Sequence, residues 1–573
     1  MVGRTRVGFA LLFLLLAGLL PGCGSATVER ADLILVGGSI FTADPGQQNV
    51  EAVAVRNGKF LRVGTRASVM ESAGPETEVV ELKGASVLPG LIDGHVHLES
   101  GLSLIRGVNL YGIADKKIWL ERIREKAAAL EPGTWILGGR WDHTLTEPVE
   151  LPTRWELDAV APEHPVALSD VDGHSLWVNS LAIRLAGVDG STPDPEGGRV
   201  VKDPRTGEPT GVFFETASGL VTAQIPRMTD RERSEALGET VRFAHSLGLT
   251  GVHNMSSRPE SFLPLVESQD LTLRIWFGLT GSGPEELSEV GERKTRIDQV
   301  VARAMPWAEF GPRFELGYVK YMIDGVLSTR TAAMLEPYSD APGERGLPQH
   351  EQAELDAWVA AANAAGYPVA IHAIGDRGVR MCLEAFEKSE KRPLLPNRIE
   401  HIEVLDPADA GRFAAAGVLA SMNPHHCITG IDVYNTLRVG AKRAAWSFPW
   451  GGLQRAGATL VFGSDWATAP LNPLLQFYAA VLREKPAGGP EGGWYPEHRL
   501  AFEDTLHAYT QAPADAAGWG DQLGSITEGK WADFVVLDRA LPQPFDRTIL
   551  ETQVQSTWVS GRPVFVRGEV ESN

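Results

Sequence analysis

Along this chain the period of apolar and polar positions changes twice. Near the N-terminus the alternation is that of strands. Residues 31–40, ADLILVGGSI, form an apolar run with a glycine turn. Residues 49–63 alternate on either side of Asn57-Gly58, a strong hairpin signal, and a fourth short strand is predicted at 79–82. The C-terminal end has the same texture: a turn and buried strand over 524–537, then a hairpin over 554–566 around Ser560-Gly561. Between these flanks, short apolar runs alternate with helical patterns such as 351–365 and 407–416, which predicts a parallel sheet or barrel. The runs lie at 86–98, 249–254, 271–279, 316–324, 367–372, 398–402, 418–422 and 459–465. Eight such strands make a barrel of the (β/α)8 TIM type.

The predicted fold class is therefore α/β: a TIM-type barrel over 86–515, plus a small β-sandwich built from both chain ends, 27–85 and 516–573. Residues of about 103–240 do not fit one βα unit. They hold strand-like pieces at 135–141 and 165–169 and a Gly/Pro-rich hairpin at 197–214. They read as an insertion after barrel strand 1, at the C-terminal mouth where barrel active sites form.

Composition changes this picture little. At 573 residues, 43% hydrophobic and 22% charged, the chain suits one large barrel with additions. Its net charge of −20 argues against nucleic acid or an anionic lipid surface as main partner. The first residues are set apart from the fold. Arg4 and Arg6 precede an apolar run at 7–20, too short to span a bilayer comfortably, and Leu20-Pro21-Gly22-Cys23 comes next. Residues 1–23 resemble a bacterial lipoprotein signal with Cys23 as the lipidated residue; an ordinary secretory signal is the alternative. Thr5 separates the two arginines, unlike a twin-arginine signal. The expected product is exported and touches the membrane through a lipid anchor only, on the periplasmic or cell-surface side. Three cysteines make no disulfide framework, so Cys382 and Cys427 are expected as free, buried thiols.

The candidate chemistry sits at strand ends. In SVLPGLIDGHVHL, residues 86–98, His95 and His97 share a face because side chains alternate with period two. Two such imidazoles either grip a metal ion or bond to backbone. Strand 4 carries Lys320 and Asp324-Gly325, strand 5 ends at His372, strand 6 at His401, strand 8 at Asp465. Singly, Lys320 reads as an ion-pair partner, His401 as a core histidine beside Glu400, Asp465 as a helix N-cap. Five strand ends of this kind converging on one mouth is not a chance pattern.

With these residues in view, the chain resembles the amidohydrolase superfamily. It is most similar to the amidohydrolase-3 branch of metal-dependent hydrolases, which includes N-substituted formamide deformylase. LPGLIDGHVH, DGHSLWVNS at 172–180, VKYMIDG, IHAIGDR, RIEH and FGSD carry the resemblance, which spans 31–566. It implies that His95 and His97, with Asp465, hold the more buried metal, and that His372 and His401 hold a second. It implies zinc, as one or two ions. Lys320 stands where a carbamylated lysine bridges the metals; an ammonium has no lone pair to offer, whereas a carbamate is an anion. Asp465 would double as general base for a water acidified by the metal.

Around this centre the resemblance leaves roles open. His174 either reaches substrate or caps a turn. Asp324, Asp376 and Arg377 either bind polar groups of substrate or brace loops. Of His425 and His426, one is expected to face the mouth, and His425 is taken as substrate-binding. Asn423 stands where many members have glutamine. Trp141, Trp177 and Trp466 either line a pocket or belong to the core. The implied activity is hydrolysis of a non-peptide C–N bond, amide or formamide-like, in a small molecule. A lactone or ester hydrolase with the same centre is the alternative enzyme, and a non-catalytic ligand-binding lipoprotein the alternative class.

Overall fold

The computed structural model describes residues 29–568 apart from 172, 257, 282 and 432–434. The expected signal segment, with Cys23, lies outside these residues, as does Asp172 of the DGHSLWVNS motif. Among the described residues no helix is long and apolar enough to cross a membrane.

The chain opens with β1 (Leu33–Phe41), β2 (Asn49–Arg56), β3 (Lys59–Gly64) and β4 (Glu78–Glu81). Asn57 and Gly58 turn β2 into β3 with φ of 49° and 76°, both left-handed as a type I′ turn requires. Next comes a departure from the expected single strand over 86–98. The stretch is two strands, β5 (Ser86–Pro89) and β6 (Leu91–Val96), parted at Gly90. β5 pairs with β1, whereas β6 begins the barrel. The reason is steric. A Cβ at Gly90 would lie 2.2 Å from Thr250 Oγ1 and 2.8 Å from Asp533 Cβ, so only glycine lets the strand change sheets here. Both halves are buried throughout, so the apolar run hides the break.

The insertion is a sheet of its own. β7 (Val108–Asn109), β8 (Gly138–Trp141), β9 (Ala167–Asp170), β10 (Ser175–Val178), β11 (Gly198–Lys202) and β12 (Pro209–Glu215) pair in the order β11-β12-β10-β9-β8-β7. Trp119, Trp141 and Trp177 meet in its core, ring centroids 6.2–6.5 Å apart. Trp141 and Trp177 are thus core residues. The helix Asp230–Ser246 sends Ala236, Leu237, Val241 and Ala244 into the barrel's core, so the separate sheet unit ends before that helix.

The remaining barrel strands are β13 (Leu249–Ser256), β14 (Arg274–Thr280), β15 (Phe314–Met322), β16 (Val369–Ala373), β17 (Arg398–His401), β18 (Leu419–Met422) and β19 (Leu460–Phe462). They run parallel in chain order with β6 beside β13, giving the eight strands expected. The eighth and first strands meet across a seam. His97 N–H donates to the Trp466 carbonyl at 2.5 Å and Asp465 N–H to that of His95 at 2.7 Å. The Asp93 carboxylate accepts from the N–H groups of His95 and Ser464 at 3.1 and 2.9 Å. This seam carries Asp465 to the two strand-1 histidines.

β20 (Phe534–Leu537), β21 (Val554–Val559) and β22 (Arg562–Val566) complete the first sheet, in the order β22-β21-β20-β5-β1-β2-β3 with β4 on β1. Leu33, Leu35, Val53, Phe60, Val87 and Phe534 form a core shared by both chain ends. Arg274, at the start of β14, ties this mixed sheet to the barrel floor: Nε and Nη2 donate to the two Asp533 oxygens at 2.6 and 2.8 Å. Such a buried bidentate pair fixes which faces meet more than it adds net stability, because stripping both ions of water offsets much of their attraction. Cys382 and Cys427 are free and buried, as expected.

Candidate metal centre

At the C-terminal ends of the barrel strands, imidazoles gather round one carboxylate. His95 and His97 leave the end of β6 on the same side, the first buried and the second half-buried. Asp465 Oδ1 lies 3.4 Å from His95 Nε2 and 3.3 Å from His97 Nε2. Its Oδ2 lies 3.8 Å from His426 Nε2. The His401 ring stands 4.8 Å from that of His95, 4.5 Å from that of His372, and stacks on that of His426 at 6.2 Å. Two ligand groups result, His95-His97-Asp465 and His401-His426-Asp465, each with its donor atoms within 4.8 Å of one another. The backbone is strained to hold them. His401, Ile402 and Asp465 have φ of 74°, 50° and 59°, a left-handed conformation that costs side-chain-bearing residues on the order of 1–3 kcal/mol each.

The donor set fits a divalent metal. His95 Nδ1 lies 2.8 Å from Glu400 Oε2. Glu400 is itself gripped by Arg398 at 2.5 and 3.0 Å, and Arg398 reaches Gly94 O, Ser421 Oγ and His253 Nδ1. Burial alone would raise the Glu400 carboxyl, but Arg398 and His95 hold it well below the usual range. An ionised carboxylate only accepts, so the His95 proton sits on Nδ1 and the Nε2 lone pair faces the centre. That Nε2, like His426 Nε2, is buried with no hydrogen-bond partner. A buried nitrogen without a partner needs an explanation, and imidazole nitrogens beside a carboxylate oxygen are what zinc takes. Protonation agrees. Burial, helped by the Lys320 charge, pushes His95 down to about 4. Burial would raise Asp465, but His95, His97 and His401 hold it well below the usual range. For His95 and Asp465 these are the metal-binding forms, a neutral imidazole and an ionised carboxylate; burial would lower His426 too, but Glu403 and Asp465 raise it.

The other predicted residues are distributed unevenly. Lys320 is buried on β15, its Nζ 3.3 Å from Met255 Sδ. Its charge acts on His95, His372 and His401, which puts it at the same centre. His372 stands beside His401, but its Nε2 lies 3.2 Å from the Gly325 carbonyl. The imidazole that joins His401 and Asp465 is that of His426. His425 instead packs 6.3 Å from the Tyr111 ring of the insertion. The helix that begins at Pro424 explains the split: successive helical side chains point about 100° apart, so only one of the pair faces the centre.

Asp324 braces the loops around it, and its Oδ1 lies 3.7 Å from His372 Nε2. It is fully buried and accepts from the N–H groups of Ala333, Ile374 and Gly375 at 2.9, 3.0 and 2.9 Å. Arg377 is exposed on the first turn of the helix Asp376–Lys388, and Asp376 accepts from Leu335 N–H at 2.8 Å. His174 is half exposed on the turn between β9 and β10, 3.1 Å from the Glu215 carboxylate. Trp466 is buried, in contact range of Gly101 and Phe243. Sequence reasoning missed Arg140 and Tyr111. Arg140, on β8, donates to the Ala467 and Thr468 carbonyls just after Asp465 and stacks 4.5 Å over Tyr111. The insertion thus reaches the mouth through β8. No motif marks Arg140; only the folded sheet brings it there.

Residues 78–565 match the model of the amidohydrolase family. Protein LONG AFTER FAR-RED 3 of Arabidopsis thaliana is 33% identical over 558 residues, 93% of this chain and 92% of that protein. N-substituted formamide deformylase of Arthrobacter pascens is 28% identical over 552 residues, 93% and 98% of the two chains. Among solved structures, an uncharacterised metal-dependent hydrolase from Pyrococcus horikoshii superposes with a TM-score of 0.68 at 26% identity, covering 88% of this chain and 97% of that one.

Proposed function

This chain belongs to the amidohydrolase family, and from that premise we propose that it hydrolyses a non-peptide C–N bond, an amide or formamide, in a small molecule. The observation that carries the reading is the triad of His95, His97 and Asp465 around an unpartnered, buried His95 Nε2. The relative named for N-substituted formamides, matched over 98% of its length, supports the choice of bond. In this reading the metal is zinc, as one or two ions. When bound it supplies a Lewis acid that polarises the carbonyl and acidifies water.

The chain's own residues do the rest. His95 and His97 would hold the ion, the His95 ring fixed from behind by Glu400 and the His97 backbone by the seam. Asp465 takes a proton from the attacking water and hands it to the departing nitrogen, so water adds to the carbonyl carbon as the C–N bond breaks. Lys320, if carbamylated, would add a negative charge at this centre and so help to hold the ions. His425 Nδ1 is buried, unpartnered and next to Tyr111, which keeps it a candidate contact for a polar group of substrate. His174, exposed on the β9–β10 turn beside Glu215, is a second candidate contact.

The test is a panel of N-formyl and N-acyl amines beside lactones and esters, run on zinc-reloaded protein. Amide or formamide turnover that chelation abolishes and zinc restores is expected. Turnover confined to lactones or esters would move the reading to C–O bonds, and zinc binding with no hydrolysis of any kind would leave a binding protein. The same proposal makes Cys23 the lipid anchor of an exported protein, supported by the sequence at 20–25. Wild-type protein should enter the detergent phase on phase separation, and Cys23→Ser should stay aqueous or unprocessed; a wholly aqueous wild type would end the anchor.

A further inference from the structure

The insertion grips the turn that follows Asp465, and its own backbone is bent to do so. Along β8, GGRW, Gly139 pairs with Ser169 of β9 and Trp141 with Asp170, so Arg140 is an extra residue in the register. Gly138, Gly139 and Arg140 have φ of 110°, 123° and 65°. A Cβ at Gly139 would lie 2.1 Å from the Ser169 carbonyl oxygen, so the strand comes this close to β9 only as glycine. A bulge of this kind re-aims one side chain. A left-handed arginine is strained and persists only where contacts hold it.

The contacts are on the barrel. The buried Arg140 side chain donates through Nη1 to the Ala467 carbonyl and through Nη2 to that of Thr468. Both carbonyls belong to the turn that Thr468 N–H closes by donating to the Asp465 carbonyl at 2.7 Å. Asp465 is itself left-handed, and its N–H is held by the His95 carbonyl. The seam thus fixes Asp465 from the β6 side, and Arg140 fixes the turn from the insertion side. Tyr111 lies 4.5 Å under the guanidinium and keeps it aimed. The Arg140 charge acts on His425 and His426, which puts it at the mouth.

We propose that Arg140 is a positioning residue for Asp465: its forked grip on the Ala467 and Thr468 carbonyls holds the strained turn, so that the insertion and the base move as one unit. The inference rests on the reading of Asp465 as base and extends it to a residue outside the barrel. A planar guanidinium donates to two neighbouring carbonyls at once, which the single ammonium of lysine does not reproduce. Hydrogen bonds from a charged donor are the stronger ones. Without them the turn is free to relax, and a base displaced by even a small distance loses much of its effect.

Two measurements on the full-length, zinc-loaded protein test it. The first is amide hydrogen exchange, which needs no substrate. The N–H groups of Asp465 and Thr468 are bonded in the seam and the turn, so their exchange reports opening of that turn. In Arg140→Ala, exchange over 464–470 should quicken by about 10–100-fold, the equivalent of one hydrogen bond to a charged group, while the terminal sheet keeps wild-type rates. The second is turnover of the best amide or formamide of the panel above. There kcat should fall by about 10–100-fold, with KM within about twofold of wild type. Guanidinium ion at millimolar concentration should restore part of kcat to Arg140→Ala and none to Asp465→Asn. Arg140→Lys, which keeps the charge, is expected between the two and stands in if Arg140→Ala does not fold. Wild-type exchange over 464–470 would overturn the inference. A rise in KM alone would overturn it as well, making Arg140 a substrate contact, and so would faster exchange across the whole insertion with kcat intact, making it a tie between sheets. A wild type that turns over none of the panel would end the proposed C–N hydrolysis, with exchange still deciding whether Arg140 holds the turn.

Discussion

Asp465→Asn is expected to lower kcat/KM by about 10²–10⁴-fold from the loss of the base alone, and further where metal is lost with it. Among the described residues, Asp465 is the one member of both ligand groups, with one oxygen toward His95 and His97 and the other toward His426. Asparagine keeps the shape but removes the anion, and its N–H can cap the Nε2 lone pairs that a cation would otherwise take. Both ligand groups should weaken together, unlike in any single histidine variant. Metal content and kcat/KM, measured at saturating zinc, separate the two contributions. An Asp465→Asn protein that holds its full metal complement and more than a tenth of wild-type activity would remove Asp465 from the role of base.

Lys320→Ala is expected to cost nearly as much, by another route. Carbamylation needs the neutral amine: Nζ bonds to the carbon of CO₂ and releases a proton, leaving an N-bound carboxylate. Burial pushes Lys320 down to about 8, so near pH 8 about half of it is neutral. A solvated lysine at that pH is neutral in roughly one molecule in three hundred. The reactive form grows as pH rises through 8, so uptake of ¹³C-labelled bicarbonate into the metal-free protein should increase between pH 7 and 9. Lys320→Ala should lose activity and much of the metal, with partial rescue by a small carboxylic acid that fills the gap. Lys320→Arg should not be rescued, because guanidinium stays charged and cannot form the carbamate. A crystal structure showing a bare amine with both metal positions filled would exclude the bridge.

Several parts of this site were legible before any fold was known. The period-two spacing of His95 and His97 places both rings on one face wherever the strand goes. His372, His401 and Asp465 each close an apolar run, Lys320 lies inside one near its end, and a parallel barrel points all such ends the same way. The break at Gly90 was not legible, because the apolar pattern on either side is continuous and the cause is a clash with Thr250 and Asp533, far along the chain. Likewise Asp324 looks as ligand-like in sequence as Asp465. Three backbone N–H groups from neighbouring loops make it a brace.

Local periodicity and short-range chemistry are properties of the sequence by itself. They determined strands and helices in a βα order, a closed parallel barrel, an extra unit after its first strand, and strand ends bearing imidazoles, a lysine and a carboxylate. Tertiary structure alone decided which of those groups face one another. His426 rather than His425 joins Asp465 because a helix starts at Pro424 and sets their angle. Glu400 and Glu403 stand behind different rings because two left-handed residues reverse the chain between them. Arg140 meets the loop after Asp465 because a separate sheet carries it across more than three hundred residues of sequence. Orientation of this kind is a product of packing between distant segments, and no local pattern encodes it.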